Sequence, residues 1–134
     1  MDARTVYLAT PAPEAVADGL ASRLNATVGT LNEDGSIHLA FVLFLWHEER
    51  FWFETSSMTR KVRNIERDAT TSIAIDGPGF MVLAEGSGRV VRGRQAEEVN
   101  GMLRAKYLTP GAAERVGAAW ATVDDVAVEV TPWR

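Results

Sequence analysis

FWFETSSMTRKVRNIERD, residues 51 to 68, joins an aromatic strand to a short helix through a loop of hydroxyls. Phe51, Trp52 and Phe53 have the bulk and β-propensity of a buried strand, and Thr55, Ser56 and Ser57 supply the turn after it. Thr59 is a good helix N-cap. Val62 and Ile65 then fall three apart on one helical face, which leaves Arg60, Lys61, Arg63, Glu66 and Arg67 for the others. The order of charge is unusual. A helix N-terminus carries roughly half a positive charge, so Arg60 and Lys61 in the first turn should each cost about 0.3–1 kcal/mol. A bound phosphate would offset the repulsion, because free backbone N–H groups, clustered hydroxyls and two cationic side chains could meet on one dianion. Solvent would offset it too, if the helix is an ordinary amphipathic one with its charges in water. Local chemistry leaves both readings open.

The preceding strand, Ser36 to Trp46, is apolar on both faces. One parity holds Ile37, Leu39, Phe41, Leu43 and Leu45; the other holds His38, Ala40, Val42, Phe44 and Trp46. A strand of an antiparallel barrel normally wets one face. This one is therefore expected to meet a second subunit or a flat ligand. Asn32-Glu33-Asp34-Gly35 has the chemistry of a hairpin turn back to a strand over Ala26 to Leu31, and His47 to Arg50 makes the polar turn into Phe51 to Thr55. Further upstream, Thr10-Pro11 followed by Val16, Leu20 and Leu24 predicts a first amphipathic helix.

Downstream, Ala69 to Asp76 alternates as a strand, Asp76-Gly77-Pro78-Gly79 is a turn, and Phe80 to Gly93 is a long strand interrupted by Glu85-Gly86-Ser87-Gly88. Glycines inside a strand mark a bend or a close backbone approach, here read as a barrel corner. Arg94 to Leu108 predicts a helix with Ala96, Val99, Leu103 and Tyr107 near one face, ended by Thr109-Pro110-Gly111. Ala112 to Ala121 reads as another short helix. Val123 to Thr131 closes the chain as a strand with Val126, Val128 and Val130 on one parity. The expectation is a mostly β fold with peripheral helices, a small closed or split β-barrel, in one domain spanning residues 1–134.

Composition bounds the function. With 46% hydrophobic and 24% charged residues the chain is an ordinary globular one, and 134 residues suffice for one core. A net charge of −4 disfavours nucleic acid, whose affinity comes largely from phosphate neutralisation; the locally grouped cations suit a small anionic ligand better. The absence of cysteine excludes disulfides, thiolate metal sites and cysteine nucleophiles. It agrees with a cytoplasmic location. The N-terminus lacks a basic segment before an apolar core, so no secretory signal is expected. No apolar run approaches the roughly 20 residues of a membrane span.

The stretch FWFETSSMTRKVRNIERDATTSIAI resembles a segment of the pyridoxamine 5′-phosphate oxidase-like split β-barrel flavoproteins, which pairs an aromatic strand with a Thr-containing loop, an Arg-Lys pair and a helix. ATVGTLNEDGSIHLAFVLFLW and FMVLAEGSGRVVRG are similar to that family's opening hairpin and later barrel strands, so the resemblance covers about residues 26–93. It implies a homodimer holding two cofactors at the subunit interface. Thr55, Ser57, Thr59, Arg60 and Lys61 fall on its phosphate-side positions, and Val42, Leu43 and Phe44 on the strand that borders the ring system. The Arg60-Lys61-Val62-Arg63-Asn64 helix is similar to the branch that includes users of the deazaflavin F420. The implied cofactor is FMN or F420. The C-terminal VTPWR lacks the Arg and His determinants of the true pyridoxamine phosphate oxidases, so that activity is not expected.

The resemblance implies hydride transfer with a small-molecule substrate, the cofactor carrying the reactive atom. It equally fits a non-enzymatic protein that stores, carries or senses FMN, F420 or haem. No catalytic residue is identified. His38, Tyr7 and Tyr107 are the nameable proton donors, and His38 reads first as a structural or interface residue. His38 and His47 form no metal-ligand constellation, so no metal is assigned. Arg89 and Arg92 have opposite strand parity and read first, with Arg94, as a solvated rim, the alternative being that Arg92 or Arg94 reaches a cofactor tail or a neighbouring subunit.

Overall fold

The structure, a computed structural model, describes residues 5–8, 19–78 and 80–133, with the backbone alone for 5–8 and 80. Its elements are β1 (Thr5–Leu8), β2 (Asn25–Leu31), β3 (Ile37–Leu43), β4 (Leu45–His47), β5 (Arg50–Ser56), α1 (Arg60–Arg67), β6 (Thr70–Gly77), β7 (Phe80–Val91), α2 (Arg94–Tyr107), α3 (Pro110–Trp120) and β8 (Asp125–Pro132). Every pairing is antiparallel, in the order β3-β2-β6-β7-β8-β5-β4, with β1 also on β7. The first and last strands of that order are joined through Phe44 alone, so the sheet has to curl back toward itself. The fold is a split β-barrel with peripheral helices.

Period-two alternation fills the interior. Val28, Val42, Phe44, Phe51, Phe53, Ile73, Ile75, Val82, Val126, Val128 and Val130 point inward and are buried. Helix α1 plugs this core with Val62 and Ile65; full burial of such a side chain is worth about 1.5–3 kcal/mol. On the other side of β5 and β8, Trp52 and Ala127 pack with Val91 and with Ala96 and Val99 of α2. The two clusters use opposite parities of the same strands, which is why β5 reads as an unbroken aromatic run.

Strand β7 changes partners along its length. Met81 to Ala84 pair with β1, and Gly86 to Val91 pair with β8. At the handover a Cβ on Gly86 would lie 2.3 Å from the Thr131 carbonyl oxygen. The glycine is required by that close backbone approach.

The strand expected over Ser36 to Trp46 is two strands with a break at Phe44. Tyr107 and Lys106 explain it. The Tyr107 hydroxyl accepts from Phe44 N at 3.1 Å, and the Lys106 ammonium donates to Phe44 O at 2.8 Å. Both backbone groups of Phe44 are thereby satisfied by α2 and leave the ladder. Thr109-Pro110-Gly111, expected as a helix stop, also starts α3: Thr109 is its N-cap and Pro110 its first residue. Residues 19–21 are helical; the rest of the helix expected from Thr10 lies outside the described residues or, at Leu24, beyond that turn. No helix among the described residues is long and apolar enough to cross a membrane.

Candidate functional site

The loop after β5 ties itself down with most of its hydroxyls. Ser56 Oγ donates to Val123 O at 2.7 Å, and Ser57 Oγ donates to the Asp124 carboxylate. Both bonds fasten the loop to the segment entering β8. Thr59 sits at the N-cap with extended backbone, yet its side chain does not cap α1. Its hydroxyl donates to Ser56 O at 3.0 Å and lies 3.3 Å from Thr55 Oγ1. The first turn of α1 therefore keeps backbone N–H groups that no side chain satisfies.

Beside that turn is a cavity of about 250 Å³. Phe41, Val42 and Leu43 of β3 form one wall, Glu54 and Thr55 of β5 and Lys61 of α1 the next, and Leu103, Arg104, Leu108, Val116 and Trp120 of α2, α3 and their junction the last. Lys61 is half-buried, and burial pushes its pKa down. Among the described residues it makes no ion pair.

A second set of charges lies in the same walls. Arg104 donates from Nε to Glu54 Oε1 at 3.1 Å and from Nη2 to the other Glu54 oxygen, and it reaches Asp125 Oδ2 at 3.0 Å. The Glu54 side chain is 4% exposed, and those of Arg104 and Asp125 are 17% exposed. Burial, with the Asp125 carboxyl alongside, pushes Glu54 up to about 8 against the pull of Arg104. Asn100 donates to Asp125 Oδ2 at 3.3 Å and to Val126 O at 3.2 Å.

Of the sequence-expected residues, Val42, Leu43, Thr55 and Lys61 meet in this cavity. Phe44 is buried behind it in the core. Ser57 and Thr59 hold the loop, and Arg60 lines a different cavity, of about 510 Å³, with Asp34, Arg63 and Arg67. His38 is partly buried on the inward parity of β3, and His47 lies 3.4 Å from Glu48 at the β4–β5 turn. Tyr107 is committed to Leu24 and Phe44, and the side chain of Tyr7 lies outside the described residues. Among those residues no group of three metal-binding side chains occurs. Arg92 pairs with Glu66, Arg89 with Glu129 and Arg94 with Glu98. Sequence reasoning passed over Glu54 inside its own key stretch. It had no signal for Arg104, which arrives from 50 positions away.

The profile of the pyridoxamine 5′-phosphate oxidase family matches residues 12–129. The chain belongs to that family. No curated protein matches it at the sequence level. Its fold is shared with an F420 reductase, at TM-score 0.70 and 20% identity over 92% of this chain and 97% of that one. It is shared with a conserved hypothetical protein from Mycobacterium tuberculosis, at TM-score 0.74 and 23% identity over 100% and 86%. A haem storage protein from Vibrio cholerae aligns at TM-score 0.67 and 15% identity over 91% and 90%. These likenesses are of fold.

Proposed function

We propose that this chain binds FMN or F420 with the cofactor's phosphate in the cavity beside Lys61, and uses it for hydride transfer with a small-molecule substrate. The observation that carries the reading is the Lys61 ammonium: half-buried, without an ion pair among the described residues, and facing a cavity at a helix start. A desolvated cation is stabilised by a charged hydrogen-bonding partner, and a phosphate is the partner this setting suits. The residues fit that group. Lys61, the Thr55 hydroxyl and the uncapped amides of α1 would hold the phosphate, and the Val42–Leu43 segment would border the cofactor's ring. When bound, the cofactor supplies the hydride chemistry. The protein's share is to bind, to orient and, through Phe41 and Trp120 in the walls, to exclude water.

The outer face of β3 supports a homodimer as the working form. Ile37, Leu39 and Phe41 are 68%, 65% and 80% exposed in one row. Beside them Gly29, Thr27, Ser72 and Ala74 line a hollow of about 410 Å³. A two-fold pair can set the ridge of one chain into the hollow of its partner, and Phe41 belongs to both the ridge and the cofactor cavity.

The test is a turnover assay with reduced F420 and reduced FMN against a panel of electron-poor alkenes, quinones and nitroarenes. Oxidation of one bound cofactor that needs the protein supports the enzyme. Tight binding of a cofactor without turnover of any panel member turns the reading to a carrier.

A further inference from the structure

The cavity beside Lys61 holds more charge than an anion site needs. Lys61 and Arg104 are its cations, from α1 and α2; Glu54 lines it from β5, and Asp125 of β8 shares the Arg104 guanidinium with Glu54. With both carboxyls ionised these four groups sum to zero. An anion would then enter beside a carboxylate that is 4% exposed, and the repulsion would be poorly screened. With one proton on the pair the sum is +1.

The geometry favours a proton there. One guanidinium serves two carboxyls, and Asp125 Oδ1 is buried with no hydrogen-bond partner. Glu54 and Asp125 converge on the one Arg104 guanidinium, and a proton on either carboxyl relieves the repulsion between two buried carboxylates and supplies a donor that neither has when ionised. Nearby Asn100 spends both its N–H bonds on Asp125 and Val126 and brings no charge.

We propose that this cavity binds an anion with one proton held by the Glu54–Asp125 carboxyl pair, a proton that binding has to take up once an alkaline medium has removed it. This rests on the reading of the cavity as the anion site and adds its regulation: the site is set for a phosphate-bearing ligand at neutral pH and releases it as the medium turns alkaline. Linkage makes the effect reciprocal. The anion raises the proton affinity of the pair, and the proton raises anion affinity.

Inorganic sulfate is the probe, because it does not titrate between pH 6 and 10. Backbone amide shifts of Thr59 to Val62 report its binding, and the side-chain carboxyl ¹³C shift of Glu54 reports the proton. In the wild type, sulfate affinity should fall above about pH 8, approaching tenfold per pH unit, and sulfate should move the Glu54 titration upward. In Glu54→Gln the fall should shrink to what Lys61 alone contributes. Saturable binding whose pH slope is unchanged in Glu54→Gln overturns the proposal and leaves the anion site standing. A Glu54 ¹³C titration unmoved by sulfate overturns it equally, in the wild type, whether or not the variant folds. Absence of any sulfate effect at every pH overturns the anion site itself.

Discussion

Arg60 and Lys61 are neighbours in the chain and face different cavities: Lys61 lies against Val42, Leu43 and Thr55, whereas Arg60 lies with Asp34 over the β2–β3 turn. Consecutive helical residues are about 100° apart, so one dianion cannot be gripped equally by both. Lys61→Ala should weaken FMN or F420 binding by about 1.5–3 kcal/mol, the scale of a charged hydrogen bond. Arg60→Ala should change it by less than about 1 kcal/mol, the scale of an exposed charge. Isothermal titration of both variants checks the difference, and equal losses would return Arg60 to the phosphate.

The buried carboxyl gives stability a pH dependence of known sign. Glu54 is raised from 4.5 to about 8, so the folded chain holds a proton that the unfolded chain has lost between those values. Its contribution is fully present below about pH 4.5 and is lost as pH rises through about 8. Urea midpoints should therefore drift down from pH 5 to pH 8, and Glu54→Gln should flatten that drift.

Lys106 works in the opposite sense. Burial lowers it from 10.5 to about 8, with its ammonium 3.7 Å from the centre of the Phe44 ring. The unfolded chain binds the extra proton between pH 8 and 10.5, so this group alone makes stability rise with pH across that window. Lys106→Met should shrink the rise to what Lys61, lowered by burial in the same direction, contributes. It should also leave the Phe44 carbonyl to the Tyr107 hydroxyl alone, read as faster amide exchange in β4.

Gly86 has no room for a side chain. An added Cβ would sit 2.3 Å from one backbone atom of Thr131 and 2.8 Å from another. Gly86→Ala should cost about 1–3 kcal/mol by overpacking, and more if the β7–β8 ladder opens. Chemical denaturation measures it.

The apolar row on β3 makes a separable claim. Phe41→Glu should leave the fold intact, because Phe41 is 80% exposed and contributes nothing to the barrel interior. Analytical ultracentrifugation should show the wild type as a dimer and the variant as a monomer.

Legibility from sequence followed the range of the physics involved. Val126, Val128 and Val130 alternate into the core as their parity says, and the two-sided apolarity of β3 foretold a face that the barrel leaves exposed. The break at Phe44 was hidden, since it is made by Lys106 and Tyr107 over 60 positions away. The same distance hid half of the cavity. Lys61 and Thr55 sit inside one local motif, whereas Arg104 reaches Glu54 through α2 packing that no spacing encodes. The hydroxyl cluster also has a structural use that spacing does not announce, since Ser57 and Thr59 fasten the loop.

The measurement to make first is a titration of the apo protein with FMN and, separately, with F420, following cofactor fluorescence and quenching of the tryptophans, of which Trp120 lines the cavity. One cofactor should bind saturably, one per chain, and Lys61→Ala should weaken it at least about tenfold. Failure of both to bind at about tens of micromolar, or binding that ignores Lys61, would contradict the cofactor site placed here.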